Sequence, residues 1–302
     1  MSDSLKQRVL AAGFDRVGIC RVDRPFDSAP FYNDWIEAGW HAGMDYLASQ
    51  ATLKASVESV LPGAKCAIVA ATNYAPAEPI SNGVAAYAQH RDYHIVLRKR
   101  WKRVVAQLEE EFPTEKFRIA IDSAPVLERE LGHRAGLGWF GKNTLLIDSR
   151  TGSYFLLSCL LTTADLVPDA PSHGGCGTCL ACIDACPTGA IRPLNGRWAV
   201  DSRQCLSYWT IEHKTGLAPP EIEQNRHGWV FGCDICQQVC PFNQPRANQP
   251  DRARPTSDPD FIDSGLTRDK LAGMDEAEWE LFSRGRPLRR QRRELIQLRL
   301  KT

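Results

Sequence analysis

Cysteine spacing constrains this chain more tightly than any other feature. Cys176, Cys179, Cys182 and Cys186-Pro187 read C-x2-C-x2-C-x3-C-P, and Cys233, Cys236 and Cys240-Pro241 read C-x2-C-x3-C-P, with Cys205 between the runs. Thiolates at i, i+3 and i+6 wrap one corner of a single cubane. The fourth thiolate, one helical turn on and stopped by proline, serves the other cluster. The spacing predicts two [4Fe–4S] clusters, one held by Cys176, Cys179, Cys182 and Cys240, the other by Cys186, Cys205, Cys233 and Cys236. Cys205 replaces the first cysteine that the second run lacks. Zinc sites use paired knuckles and close with four ligands, a poor match to this wiring. Disulfides need an oxidising compartment. Residues Met1 to Arg8 are polar and resemble no export signal. No run approaches the roughly 20 apolar residues of a membrane span. The expectation is a soluble, cytoplasmic monomer.

The rest of the chain is organised around that module. Residues 1–168 alternate helical and strand patterns, so the expected class is α/β. Helices are expected at Ser4–Ala12, Tyr32–Ala38 and Asp92–Phe112, and strands at Arg16–Cys20, Cys66–Thr72 and Phe117–Ile121. Pro125 fits the first turn of a helix capped by Ser123 or Asp122 and ended by Gly136. Strands at Thr144–Ile147 and Tyr154–Leu157 would flank a turn. Residues 169–245 form the cluster module. Residues 246–302 are a connector and a basic tail, with helices expected at Asp275–Phe282 and Leu288–Leu300. Cys20, Cys66 and Cys159 sit in apolar surroundings and read as buried structural thiols.

Net charge is +1, but Arg284 to Thr302 carries eight basic residues and one acid. A basic end on a mildly acidic body suits a nucleic-acid partner. In a Leu288–Leu300 helix, Arg289, Arg292 and Arg293 would share one side while Leu288, Leu295 and Leu298 pack inward.

One further constellation carries chemistry. Asp122 closes an apolar strand, in Ile121-Asp122-Ser123-Ala124-Pro125. A carboxyl there is partly desolvated, which raises its pKa and makes it a usable general acid. Gly136, Gly138 and Gly141 leave backbone bare, so that a large flat ligand could approach.

With Gly43-Met44-Asp45-Tyr46-Leu47, Asp92-Tyr93-His94, Asp122-Ser123-Ala124-Pro125, Gly138-Trp139-Phe140-Gly141-Lys142-Asn143-Thr144, Gly152-Ser153-Tyr154, Trp209-Thr210-Ile211-Glu212 and both cysteine runs, the chain resembles the epoxyqueuosine reductases. The resemblance implies a base-off cobalamin between the α/β segment and the clusters, with Asp122 as proton donor. Lys142, Asn143, Leu146, Ser153, Tyr154, Leu157 and Asp234 would lie against the corrin. The substrate would be tRNA carrying epoxyqueuosine at the wobble position, with electrons from an external donor. Glu212, His213 and Lys214 are candidates beside the entering base, and Arg289, Arg292 and Arg293 for the phosphates. The chain departs from related sequences at Ser158-Cys159, where Gly-Glu is usual, and at His90-Arg91. It stops near Leu300, where a HEAT-like repeat begins in many members. The competing expectations are a cobalamin and iron–sulfur reductive dehalogenase and a plain electron carrier.

Overall fold

A computed structural model describes residues 2–250, 252–262 and 265–301. In chain order the first segment comprises α1 (Ser2–Ala11), β1 (Arg16–Arg21), α2 (Ala29–Glu37), α3 (Asp45–Ser49), β2 (Cys66–Asn73), α4 (Tyr93–Glu111), β3 (Phe117–Ala120), α5 (Glu128–Arg134), β4 (Trp139–Phe140), β5 (Leu146–Ile147) and β6 (Phe155–Thr162). The cysteine module holds α6 (Ala181–Asp184), β7 (Ile191–Leu194), β8 (Arg197–Val200), a π-turn at Tyr208–Glu212, α7 (Pro220–Glu223) and α8 (Ile235–Gln238). The tail holds α9 (Arg268–Gly273), α10 (Glu276–Ser283) and α11 (Arg293–Lys301).

Four strands form the central sheet in the order β1-β2-β6-β3, every pair antiparallel. The unbroken apolar run of β2 follows from burial on both faces. Cys66, Ile68 and Ala70 face a core with Leu5, Val9, Leu97 and Trp101 of α1 and α4. Ala67, Val69 and Ala71 face a second core with Leu131 of α5, Val57 and Val60. Gly18 is required where β1 meets the end of α5, because a Cβ there would lie 1.9 Å from the Ala135 carbonyl oxygen. The departure at Ser158-Cys159 is internal. The Ser158 hydroxyl accepts the buried Trp101 indole N–H at 2.8 Å, and Cys159 is fully buried, as are Cys20 and Cys66.

A further core joins all three segments: Val84 and Ala88, then Ile211, Val230 and Phe231, then Leu271, Trp279, Leu288 and Ile296. The tail is therefore a brace and not a loose appendage. The connector hugs the surface, with Asp258 and Asp260 paired to buried Arg100 at 2.6 and 3.1 Å. Within its expected span of Asn243–Pro259, Asp251 lies outside the described residues.

The tail departs from expectation in one respect. Residues Leu288–Leu300 do not form one helix: a short 3-10 turn at Pro287–Arg290 gives way to extended backbone at Gln291 before α11 starts at Arg293. The Gln291 side chain is buried and donates to the carbonyls of Thr210 and His213, which anchors the break. As a result Leu288 packs inward, but Leu298 is 41% exposed. No described helix is long and apolar enough to cross a membrane.

Candidate active site

Asp122 follows the end of β3 with φ of +52°. Left-handed backbone costs a non-glycine residue roughly 1–2 kcal/mol, and aspartate is among the few side chains that tolerate it. Pro125 keeps Ala124 out of the helical region, so α5 begins only at Glu128, with Leu127 at its N-cap. Neither Asp122 nor Ser123 caps it, contrary to the sequence expectation. The Asp122 carboxylate is thereby left to meet the first turn of α4. It accepts from the Tyr93 hydroxyl at 2.9 Å and lies 3.3 Å from His94 Nε2. Asp92, the N-cap of α4, accepts the His94 backbone N–H at 2.9 Å and lies 2.8 Å from Nδ1. One imidazole is thus held between two carboxylates. The backbone N–H of Asp122 donates to Glu128 Oε1 at 2.7 Å.

Electrostatics divide these groups. Burial alone would lower the pKa of His94, but its hydrogen bonds to Asp122 and Asp92 overcome that and lift it to about 9. His94 is therefore cationic at neutral pH and donates through both nitrogens. The His94 contact outweighs burial at Asp122 and, with the Tyr93 hydroxyl, holds its carboxyl below the usual range. Burial is the weaker influence there because the side chain is 60% exposed. The expectation of a raised Asp122 pKa is corrected: the proton held near neutrality sits on His94. Glu128, pushed up to about 8 by burial and then by the Asp122 charge, is a second protonated group.

The module's thiols fall into two neighbourhoods. Cys182 is pushed up to about 11 by burial and then by Cys176, Cys240 and Cys179. Cys240 is raised by burial and then by Cys176 and Cys179. Cys233 is raised by burial and by Cys205 and Cys186, and Cys236 by burial, Cys233 and Cys205. Cys236 also feels Cys182, so the neighbourhoods adjoin. Crowded, buried thiols of this kind resist ionising until cationic iron compensates them. That fits cluster binding. Among the described residues no three such side chains converge on one metal position, whereas in a cubane each thiolate holds a different iron.

Of the side chains expected against a corrin, Lys142, Asn143, Ser153 and Asp234 meet at the seam between sheet and module, each with a protein partner, whereas Leu146 and Leu157 pack in the core under α5. Lys142 Nζ donates to the carbonyls of Gly177 and Cys179 at 2.8 and 2.9 Å. Buried Ser153 donates to Gln237 at 2.9 Å, and Asn143 Nδ2 reaches the Cys236 carbonyl at 3.5 Å. Asp234 accepts the Ala86 N–H at 2.7 Å and a Gln237 amide N–H at 3.0 Å, and burial raises its pKa to about 6. Leu146 and Tyr154 are buried, while Leu157 is half-buried. Gly138 and Gly141 present no bare face to a ligand, whereas Gly136 lines the concavity beside α1. A Cβ on Gly138 would lie 2.5 Å from the Ile147 oxygen, and one on Gly141 2.4 Å from Ile147 Cδ1, so β4 and β5 fill that space. Two concavities, of about 470 and 550 Å³, lie elsewhere, beside Ile235 and beside α1. The Asp122 carboxylate is exposed. Both nitrogens of His94 are engaged by carboxylates, so its ring is committed to Asp92 and Asp122.

Within electrostatic reach of Asp122, Arg290 binds Glu212 in a two-pronged ion pair, 2.7 Å on each prong, and reaches the Tyr46 hydroxyl at 3.4 Å. Its charge also helps to depress Asp122. Lys214 donates to the carbonyls of Ile211 and Arg290, and burial lowers its pKa to about 8. His213 packs on Trp209 with ring centroids 4.7 Å apart. Arg289, Arg292 and Arg293 do not share a helix face. Arg289 pairs with Glu280 and Arg293 with Glu276, each at 2.8 Å, while Arg292 is exposed. The α10 carboxylates thus neutralise much of the charge that looked free in the sequence. Sequence reasoning passed over Glu128 and Arg290. The signal for the first was the interval from Asp122 across Pro125 to the next carboxylate; Arg290 carried none beyond its charge.

Fold and cysteine spacing together define an iron–sulfur oxidoreductase built on a double-cluster module. Residues 175–243 match the family described as "4Fe-4S double cluster binding domain", and residues 54–123 match "Epoxyqueuosine reductase QueG, DUF1730". The epoxyqueuosine reductase of Vibrio cholerae is 39% identical over 253 residues, covering 81% of this chain and 67% of that protein. That of Leadbetterella byssophila is 36% identical, covering 93% and 90%. A crystal structure of epoxyqueuosine reductase with an epoxyqueuosine-modified tRNA-Tyr stem loop superposes with a TM-score of 0.83 at 24% identity, covering 99% of this chain and 79% of that one. The catabolic reductive dehalogenase NpRdhA shares the fold more distantly, with a TM-score of 0.50 at 17% identity over 83% of this chain and 33% of its own. The chain belongs to the epoxyqueuosine reductase family.

Proposed function

We propose that this chain reduces epoxyqueuosine to queuosine at the wobble position of tRNA, using two [4Fe–4S] clusters and a cobalamin. The observation that carries the reading is an exposed carboxylate, Asp122, backed by a cationic His94 and bonded to Tyr93, whose ring packs on Tyr87 and through it on Phe231 beside the cysteine module. Tyr87 feels both Asp234 and Asp122. The two thiol neighbourhoods support the ligand sets Cys176, Cys179, Cys182, Cys240 and Cys186, Cys205, Cys233, Cys236. Residues 1–168 supply the acid, 169–245 the clusters and 246–302 the brace.

The net reaction takes two electrons and two protons. Both C–O bonds of the epoxide break, a C=C bond forms, and the oxygen leaves as water. When bound, cobalamin supplies a strongly reducing, nucleophilic cobalt, kept reduced by the clusters and an external donor. The chain's own residues handle the proton. Exposed to water, Asp122 is ionised. A base covering it expels that water and raises the proton affinity of Asp122. His94 holds the first proton 3.3 Å away and passes it on through Asp122, and solvent supplies the second as the oxygen leaves. Asp92 fixes the ring, and Tyr93 steadies the carboxylate. Exposed Arg292 and the Arg290–Glu212 pair, whose arginine acts on Asp122, are the groups that would meet a splayed wobble nucleotide. The test is single-turnover assay of the loaded protein with epoxyqueuosine tRNA and a reductant, followed by mass spectrometry for loss of one oxygen. Loaded protein that leaves the tRNA unchanged but dehalogenates a halophenol would overturn the reading.

A further inference from the structure

The acid of this site adopts a backbone conformation that aspartate rarely takes, and something must keep it there. Asp122 has φ of +52°, lies between β3 and α5 in a stretch without regular structure, and is followed by a tight turn in which the Ser123 N–H donates to the Ile121 carbonyl at 2.5 Å. Tyr93 and His94 hold its carboxylate, but those contacts bind the group that must move a proton, and the substrate competes for them. One contact holds the backbone instead: the Asp122 N–H to Glu128 Oε1, at 2.7 Å. Glu128 opens α5 and is half-buried, so its side chain has little freedom to follow a moving loop.

We infer that Glu128 is the positioning residue that latches the Asp122 backbone in its left-handed conformation and so presents the carboxylate to the substrate. The contact needs only an acceptor oxygen. Burial and the neighbouring Asp122 charge favour the neutral acid, with Lys54 and His94 opposing them. Glutamine mimics a neutral acid of the same length, so the latch predicts that glutamine serves and that shorter or apolar side chains do not.

The proposal rests on Asp122 being the acid, and its test separates the two ideas. Amide hydrogen exchange over residues 121–127 is measured in cofactor-free protein, and turnover is measured in loaded protein. Glu128→Leu is expected to speed exchange at the Asp122 amide at least tenfold. It should lower kcat at least tenfold while KM for tRNA changes less than threefold. Glu128→Gln should restore both to within about threefold of wild type. Glu128→Asp keeps the carboxyl group but falls short of the amide, so it should resemble Glu128→Leu and serves if that variant does not fold. Wild-type exchange at Asp122 in Glu128→Asp overturns the latch, as does a Glu128→Gln protein that exchanges as fast as Glu128→Leu. Fast exchange with unchanged turnover would leave the latch standing and overturn the role of Asp122.

Discussion

Replacing Asp122 by asparagine removes one of the two charges that make His94 basic, and the consequence is measurable without any cofactor. An opposite charge in contact moves a titration midpoint by about one to three pH units. The His94 midpoint should therefore fall from about 9 toward its ordinary 6.5, with Asp92 supporting part of the rise. Each unit corresponds to about 1.36 kcal/mol. Because the His94 and Asp122 side chains are 34% and 60% exposed, solvent screening reduces the stability gained from their contact to on the order of 1 kcal/mol. Its pH window follows from the two directions. The His94 share is complete below about 6.5 and is lost as pH rises through about 9. The Asp122 share is complete above the ordinary carboxylate value of 3.8 and is lost as pH falls through its depressed folded value. Wild type and variant should thus differ most in urea unfolding around pH 6, and the gap should close above pH 9. Histidine NMR titration, with the His94 signal assigned through a His94→Gln protein, gives the midpoints directly. In loaded enzyme the same variant should lose about 10²–10⁴-fold in turnover. A wild-type His94 that titrates near 6.5, or a midpoint unmoved by Asp122→Asn, would refute the charge-sandwich argument.

Cys205→Ser should bring iron content down from about eight to about four per chain, since each cluster holds four irons. The surviving cluster should keep its spectroscopic signal, and loss of both would contradict the two-set assignment. Because Arg289 and Arg293 are already ion-paired, the Arg292→Ala change alone should account for most of the tail's salt-dependent tRNA affinity. It should make the log–log salt slope shallower by about 0.9, and a slope shift near three times that on replacing all three arginines would show that the ion pairs open on binding. Arg100→Ala leaves Asp258 and Asp260 beside an empty, largely buried position and should destabilise the fold by about 3–5 kcal/mol, read from urea midpoints at an unchanged m-value.

Element types were legible where a local period or a fixed spacing governed them. The strand at Cys66–Asn73 declared itself because it is buried on both faces, and the span of α4, expected at Asp92–Phe112, read correctly for the same kind of local reason. The cysteine runs announced a double-cluster module because cubane geometry admits few spacings. Asp122 was found as a residue and misread as an environment. Its pKa depends on His94, which lies 28 positions away, and no local pattern encodes that proximity. Gly138 and Gly141 were given to a ligand because a bare backbone looks alike whether it faces a cofactor or a neighbouring strand. The tail was misread because counting charge ignores pairing: the glutamates of α10 stand within reach of Arg289 and Arg293 only after a chain reversal.

That reversal has a consequence for the order in which the site is built. The carbonyl of Gly285 accepts the Asp92 N–H at 2.6 Å, and Arg286 donates to the Gln89 carbonyl at 2.8 Å. Arg299, fully buried, donates to the Trp209 carbonyl at 2.8 Å. The wall that orients His94 is therefore closed by contacts nearly two hundred residues apart in sequence. Contacts of such separation form late, since loop-closure entropy must be overcome before they stabilise anything. A nascent chain that has emerged only to residue 245 holds its sheet and all eight module cysteines, but the support behind its proton donor is still missing. During synthesis, thiols able to take up iron come before a site able to use it.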